Sequence, residues 1–221
     1  MKMIGSKVQK EWSKDYEYKT TGDHSITIPE DGDYHLILVG GGGNCAGSTN
    51  AGTSLSSCGG GGGGAYFNGV VTLTAGFYTI HVGTLATGDK DSYITNSSET
   101  KLIIAGGGGN ASASNGTSAT KGTGGTLDTS NATIVSQTED SGNGNSDGTT
   151  AISNVHCSGA TSKYEGYGAG NGTTSAYNGS YYYPKATGGT SGYACLTVTG
   201  IYEGGQPYAI YLDDKYEALR F

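Results

Sequence analysis

The chain has 221 residues, of which 42 are glycine, 28 threonine, 23 serine and 12 asparagine, so four small or polar types make up nearly half of it. Ile, Leu, Val and Phe together number 33, about 15%, which is too few to fill the core of a doubly wound enzyme or a helical bundle. The formal charge is −7 and the 12 Lys and Arg are scattered singly, which argues against nucleic acid and anionic membrane as partners.

Such a composition can signal disorder. Three features argue for order: 17 tyrosines, only 14% charged residues, and short apolar segments placed between glycine runs. The longest apolar stretches, Tyr34 to Val39 and Leu102 to Ala105, are far shorter than the roughly 20 residues of a membrane span. No membrane insertion is expected.

Residues 1–23 are polar, carry both signs of charge and hold no apolar core of a secretion signal, so the chain is expected to stay in the cytoplasm or to leave by another route. In that setting Cys45, Cys58, Cys157 and Cys195 read as thiols rather than a disulfide framework. Strand-like segments follow at Ser25 to Ile28, Tyr34 to Val39, Val70 to Thr74, Phe77 to Val82, Lys101 to Ala105, Ala132 to Ser136 and Tyr193 to Thr199. Pro29 to Asp33 supplies a turn between the first two. Ala75-Gly76 has the length of a two-residue hairpin connection, so Val70 to Val82 is expected to be an antiparallel hairpin.

Glycine runs abut these strands: Gly40-Gly41-Gly42-Gly43, Gly59-Gly60-Gly61-Gly62-Gly63-Gly64, Gly106-Gly107-Gly108-Gly109, and the looser Gly122, Gly124 and Gly125. Ordering glycine costs more backbone entropy than ordering any other residue, so an ordered run needs a compensating interaction. Laterally packed polyglycine helices of the polyproline II type would supply it, bonding backbone to backbone where side chains are absent. The fold expected is all-β: a small antiparallel β-sandwich with inserted polyglycine II helices and long polar loops. Its parts are an attachment segment at 1–23, the glycine-rich domain at 24–199 and a C-terminal segment at 200–221.

Enzyme signatures are weak. No glycine motif opens a helix, no phosphate-binding loop is present, and His24, His35, His81 and His156 lack metal spacing. Asp140 to Gly148 lacks the distal glutamate of a calcium loop and reads as a solvated polar loop. No metal, cofactor or catalytic residue is assigned. The polar connections Asn44 to Cys58, Asn110 to Lys121 and Gln137 to Gly192 read as displayed loops. Their binding candidates are Tyr164, Tyr167, Tyr177, Tyr181, Tyr182, Tyr183, Asn115 and Thr53, because tyrosine among Ser, Gly and Asn gives rigid amphipathic contact area at low entropic cost. The alternative is that these tyrosines replace missing aliphatics in the core of an oligomer.

The string Ile26-Thr27-Ile28-Pro29, Tyr34 to Gly43, Gly59 to Ala65, Val71 to Gly83 with its Thr72-Leu73-Thr74-Ala75-Gly76 turn, and Ile103 to Gly109 resembles the glycine-rich domain of phage tail fibres and tail-tip adhesins. Tyr193 to Val198 would be the closing strand. The resemblance implies a non-catalytic receptor-binding module whose loops contact a bacterial surface protein or glycan. It also implies a virion assembled in the host cytoplasm, other virion proteins as partners, and a homo-oligomer, with trimers the common form of fibres. A structural connector of the virion and a bacterial surface adhesin are the alternatives.

Overall fold

The computed structural model describes residues 10–49, 55–114, 118–145, 149–152, 156–177 and 182–200. Among these it is all-β. Two five-stranded antiparallel sheets form a sandwich. The first has the order β1-β18-β3-β6-β13, built from β1 (Lys10–Tyr18), β3 (Gly32–Val39), β6 (Tyr66–Leu73), β13 (Thr133–Gln137) and β18 (Tyr193–Gly200). The second has the order β12-β9-β8-β7-β2, built from β2 (Gly22–Ile28), β7 (Gly76–Val82), β8 (Ser92–Asn96), β9 (Lys101–Ala105) and β12 (Leu127–Asp128).

Strand alternation accounts for the core between them. Leu36 and Leu38 of β3, Phe67, Val71 and Leu73 of β6, and Leu196 of β18 meet Ile26, Ile28, Tyr78, Ile80, Val82, Ile94 and Ile103 from the other sheet. Aliphatic residues are scarce in the chain but concentrated here, so one small sandwich is filled conventionally.

The expected hairpin at Val70 to Val82 does not form. β6 pairs with β3 and β13, β7 pairs with β2 and β8, and Thr74-Ala75 carries the chain from one sheet to the other. The Pro29 to Asp31 corner does the same between β2 and β3. The two corners lie side by side, because Ile28 pairs with Gly76 in one sheet and Gly32 with Leu73 in the other. Asp31 Oδ1 accepts the Ala75 amide at 2.7 Å, and Tyr78 Oη donates to the Thr74 carbonyl at 3.0 Å. Val71 and Leu73 can face Tyr78, Ile80 and Val82 across the core only if the strands lie in different sheets.

The boundary drawn at residue 23 also shifts. β1 pairs along β18 from Lys10↔Gly200 to Tyr18↔Ala194, and β2 starts at Gly22, so residues 10–23 are integral to the sandwich. Polar strands at an edge carry little hydrophobic signal, which hides β1 from a sequence reading.

The glycine segments leave one end of the sandwich and belong to no strand ladder. Gly60 to Gly64 are all buried at their centre. Gly60 and Gly63 donate to the carbonyls of Thr149 and Asn145, Gly61 and Gly64 to Asn171 and Gly168, and Gly62 and Ala65 to Gly109 and Gly106, at 2.6–2.9 Å. Gly40 and Gly43 donate to Ala65 and Gly62, and Gly122 and Gly125 to Gly60 and Gly63. Each neighbouring segment is thus contacted every third residue, and three is the number of residues per turn of a polyproline II helix.

This lattice excludes side chains. A Cβ placed on Gly42 would come closer than 3.0 Å to the Ala169 carbonyl, and one on Gly62 would do so with the Thr123 carbonyl, separations that real Cβ atoms essentially never show. Backbone cannot retract as a side chain can. A Cβ on Gly32, by contrast, meets only Tyr34 Cε2 at 3.8 Å. Gly62→Ala is therefore expected to cost more than about 4 kcal/mol, while Gly32→Ala stays within about 1 kcal/mol of the parent, as measured by urea unfolding.

Candidate binding surface

Each glycine segment that leaves the sandwich ends in a short strand and returns through another segment. Gly40 to Gly43 lead to β4 (Ala46–Thr49), which pairs with β5 (Leu55–Gly59) before Gly60 to Gly64 run back. Gly106 to Gly109 lead to β10 (Ser112–Ser114) and β11 (Ser118–Thr120). The third excursion holds β14 (Thr150–Ile152) and β15 (His156–Cys157), and the fourth holds β16 (Gly172–Tyr177) and β17 (Tyr182–Thr187). β5 touches β10, β11, β15 and β16, so the excursions form one cluster at the end of the molecule away from the sandwich.

A disulfide joins Cys58 of β5 to Cys157 of β15, both fully buried. This corrects the reading of all four cysteines as thiols. Sequence spacing gives no hint that residues 99 apart become neighbours across two glycine segments. Cys45 and Cys195 remain half-buried thiols.

The ends of the glycine segments are tied by asparagines that the sequence reading passed over. Asn110 Oδ1 accepts the Asn44 amide at 2.9 Å, Asn171 Nδ2 donates to Asn44 Oδ1 at 3.3 Å, and Asn171 Oδ1 accepts the Gly189 amide at 3.0 Å. The available signal is the order of residues: Gly43-Asn44 and Gly109-Asn110 each place an amide side chain where a glycine run stops, and Asn171 lies in the mixed stretch Gly168-Ala169-Gly170-Asn171-Gly172. At the side of the lattice Lys90 Nζ donates to the Gly108 carbonyl at 2.6 Å and to Asn110 Oδ1 at 2.9 Å. Burial holds the Lys90 ammonium below the usual lysine range.

The tyrosine candidates divide. Tyr164 and Tyr167 are not at the tip. They belong to a turn where segments meet the sandwich, and they pack with Ile37, Val39, Tyr66 and Tyr193 on the outer face of the first sheet. The rings form a continuous stack: Tyr66–Tyr164 at 5.4 Å, Tyr164–Tyr193 at 5.2 Å and Tyr167–Tyr193 at 4.7 Å between centroids. Ser162 Oγ donates to the Tyr164 and Tyr167 carbonyls and fixes the turn. These two residues are packed within one chain, against the outer face of the first sheet, rather than displayed in a loop.

Tyr177 ends β16 and Tyr182 begins β17, directly opposite in register, with Tyr183 opposite Ala176. Tyr181, Asn115 and Thr53 lie outside the described residues, in the connections β16–β17, β10–β11 and β4–β5 respectively. The excursions carry little charge. No Asp, Glu, Lys or Arg occurs between Asp33 and Asp89, none from Leu102 to Thr120, and only Lys185 from Gly166 to Gly200. The −7 of the chain therefore resides mainly in the sandwich and in the terminal segments. What the tip offers chemically is hydroxyl, amide and phenol groups: exposed Ser112, Ser114, Ser118 and Thr120 of β10–β11 carry four hydroxyls on a short antiparallel pair. Among the described residues no cluster of His, Cys, Asp and Glu could hold a metal ion.

Two expectations follow. Closing a loop of about 100 residues restricts the unfolded chain by up to about 4.7 kcal/mol, so reduction of Cys58–Cys157 should lower stability by about 2–5 kcal/mol, read as a fall in the urea midpoint on adding reductant. Burial raises the phenol pKa of Tyr193 above its ordinary value, and likewise those of Tyr164 and Tyr66. A raised folded-state pKa means that the stabilisation is fully present below about pH 10 and is lost as pH climbs above that value. Unfolding free energy should thus fall between pH 9.5 and 11.5 and fall less in Tyr193→Phe, as measured by urea titration at each pH.

No curated protein matches this sequence. A model of one family, described as a glycine-rich domain, matches residues 19–210 and so covers most of the chain, including every glycine segment of the lattice. The chain therefore belongs to the glycine-rich domain family.

Proposed function

We propose that the protein is a non-catalytic, receptor-binding subunit of a phage virion, a fibre or its tip, that recognises a bacterial surface protein or glycan through the clustered excursions. The glycine segments act as laterally packed polyglycine II helices, a platform that holds these excursions rigidly. The observation carrying the reading is the polarity of the molecule: a sandwich at one end, side-chain-free segments in the middle, and at the far end hairpins that contribute little to the main core. Ordering glycine is costly, and a fold gains nothing from extending such segments unless what they hold apart from the sandwich is used.

The composition of the far end supports contact rather than chemistry. Tyr, Ser, Thr and Asn provide amphipathic area and adaptable hydrogen bonds, and removal of one well-packed tyrosine anchor costs roughly 2 kcal/mol, more than tenfold in affinity. In the virion, neighbouring chains of the same protein and other virion proteins are the partners of the sandwich end.

Fluorescently labelled protein incubated with a panel of bacterial strains tests this reading. Wild type should label at least one strain, and the triple variant Tyr181→Ser, Tyr182→Ser, Tyr183→Ser should bind that strain more than tenfold more weakly while the amides of Gly60 to Gly64 keep their exchange protection. Equal binding by the variant, labelling of no strain, or cross-linking of the excursions to other virion proteins in the intact particle would each refute the receptor-binding role, the last in favour of a connector.

A further inference from the structure

The connection between β7 and β8, residues 83–91, bonds on one side to the glycine lattice. The Gly41 amide donates to the Lys90 carbonyl at 2.7 Å, the Ala86 amide to the Gly42 carbonyl at 2.9 Å, and the Gly107 amide to Asp91 Oδ1 at 2.8 Å. Thr84 closes the loop on itself, since its amide and its hydroxyl both donate to the Asp89 carbonyl, at 2.8 and 3.0 Å. Ala86 holds φ at 66°, a left-handed conformation unfavourable for any residue with a Cβ. The loop stays docked only while its contacts outweigh that strain.

On its other side the loop meets His81 of β7, whose side chain is 13% exposed. Nδ1 lies 2.6 Å from Asp23 Oδ1 on β2, and Nε2 lies 3.8 Å from Asp89 Oδ2 in the loop. Nε2 is buried and has no hydrogen-bond partner among the described residues. The ring stacks on Tyr93 of β8 at 4.7 Å, and Lys101 Nζ of β9 lies over the Tyr93 ring at 3.6 Å. Two carboxylates thus face the imidazole, while the Lys101 ammonium is placed on the tyrosine. Burial, and after it the charges of Asp89, Asp23 and Asp91, hold the Tyr93 phenol above its usual range, so it stays neutral where histidines titrate.

A neutral imidazole has one N–H and one bare nitrogen. With the Nδ1 proton given to Asp23, the bare Nε2 is an acceptor buried opposite another acceptor, an arrangement that costs free energy. A second proton, taken from solvent, turns Nε2 into a donor for Asp89. We propose that His81 is a proton-operated clasp: doubly protonated, it bonds Asp23 through Nδ1 and Asp89 through Nε2 and ties the loop to the second sheet, and on losing the Nε2 proton it releases Asp89. Because the same loop holds Gly41 and Gly42, the grip on the segment that leads to β4 tightens in acid and slackens as pH rises.

Amide hydrogen exchange of the full-length chain at about pH 5 and pH 8, which bracket the range in which histidines take up a proton, tests the clasp. With each rate corrected for intrinsic exchange at that pH, protection of Ala86 and Gly41 should be about fivefold higher at the lower pH, the size of one partly exposed ion pair. The difference should vanish in His81→Gln. It should vanish also in Asp89→Asn, because a side-chain amide at that position can donate to the neutral ring and hold the loop at either pH. Asp89 is half exposed in a loop, so this second variant leaves the core intact, and retained protection of Gly62 checks the fold of both. Equal protection of Ala86 and Gly41 at the two pH values in the wild type, or a difference that survives in either variant, overturns the proposal.

Discussion

The structure depends on how closely two backbones can approach when neither carries a side chain. Gly60 to Gly64 sit in a ring of other segments, each near enough for an amide to reach a carbonyl at about 2.9 Å, and a methyl group at most of these positions would strike main-chain atoms. The hydrogen bonds recover what burial of polar backbone would otherwise cost. Their number and close packing offset the large entropy that glycine gives up on ordering. A chain with about 15% large aliphatics thus sustains a solid middle without an apolar interior there, and its Ile, Leu and Val are released to fill one compact sandwich.

Much of this was legible from residue order. The principal strands of the sandwich follow from short β-branched runs, and the glycine runs abutting Val39, Ala65 and Ala105 foretell segments that enter and leave one structure repeatedly. Other parts were hidden for identifiable reasons. β1 is polar, and it is a strand only because β18 offers it an edge. The turn at Ala75-Gly76 has hairpin length, yet its direction is decided by which faces of β6 and β7 must meet across the core. Cys58 and Cys157 become neighbours only through the lattice, a relation of residues far apart in the chain.

The candidate site was legible in kind more than in position. Tyrosines within twenty residues of one another serve two ends of the molecule. Tyr164 and Tyr167 stack under Tyr193 and Tyr66, while Tyr177, Tyr182 and Tyr183 belong to the hairpin β16–β17. Local composition is the same for both groups; what separates them is the glycine segment 168–171, which carries the chain from the sandwich to the far end. The asparagines at 44, 110 and 171 are the reverse case. Nothing about an isolated Asn draws notice, but Asn44 and Asn110 sit where glycine runs stop, and all three use a side-chain amide where a neighbouring backbone would otherwise bond.

Because the lattice is read in steps of three, it imposes an arithmetic on how the molecule can change over generations. An excursion can be exchanged or lengthened freely, since it departs and rejoins between fixed points, and its interior does not enter the count. A glycine segment cannot be altered so freely: adding or deleting three residues returns every amide to an equivalent carbonyl, whereas one or two would rotate all later donors away from their acceptors. Variants arising in nature should therefore differ widely in the hairpins of the far end and only in whole turns along the glycine segments beneath them.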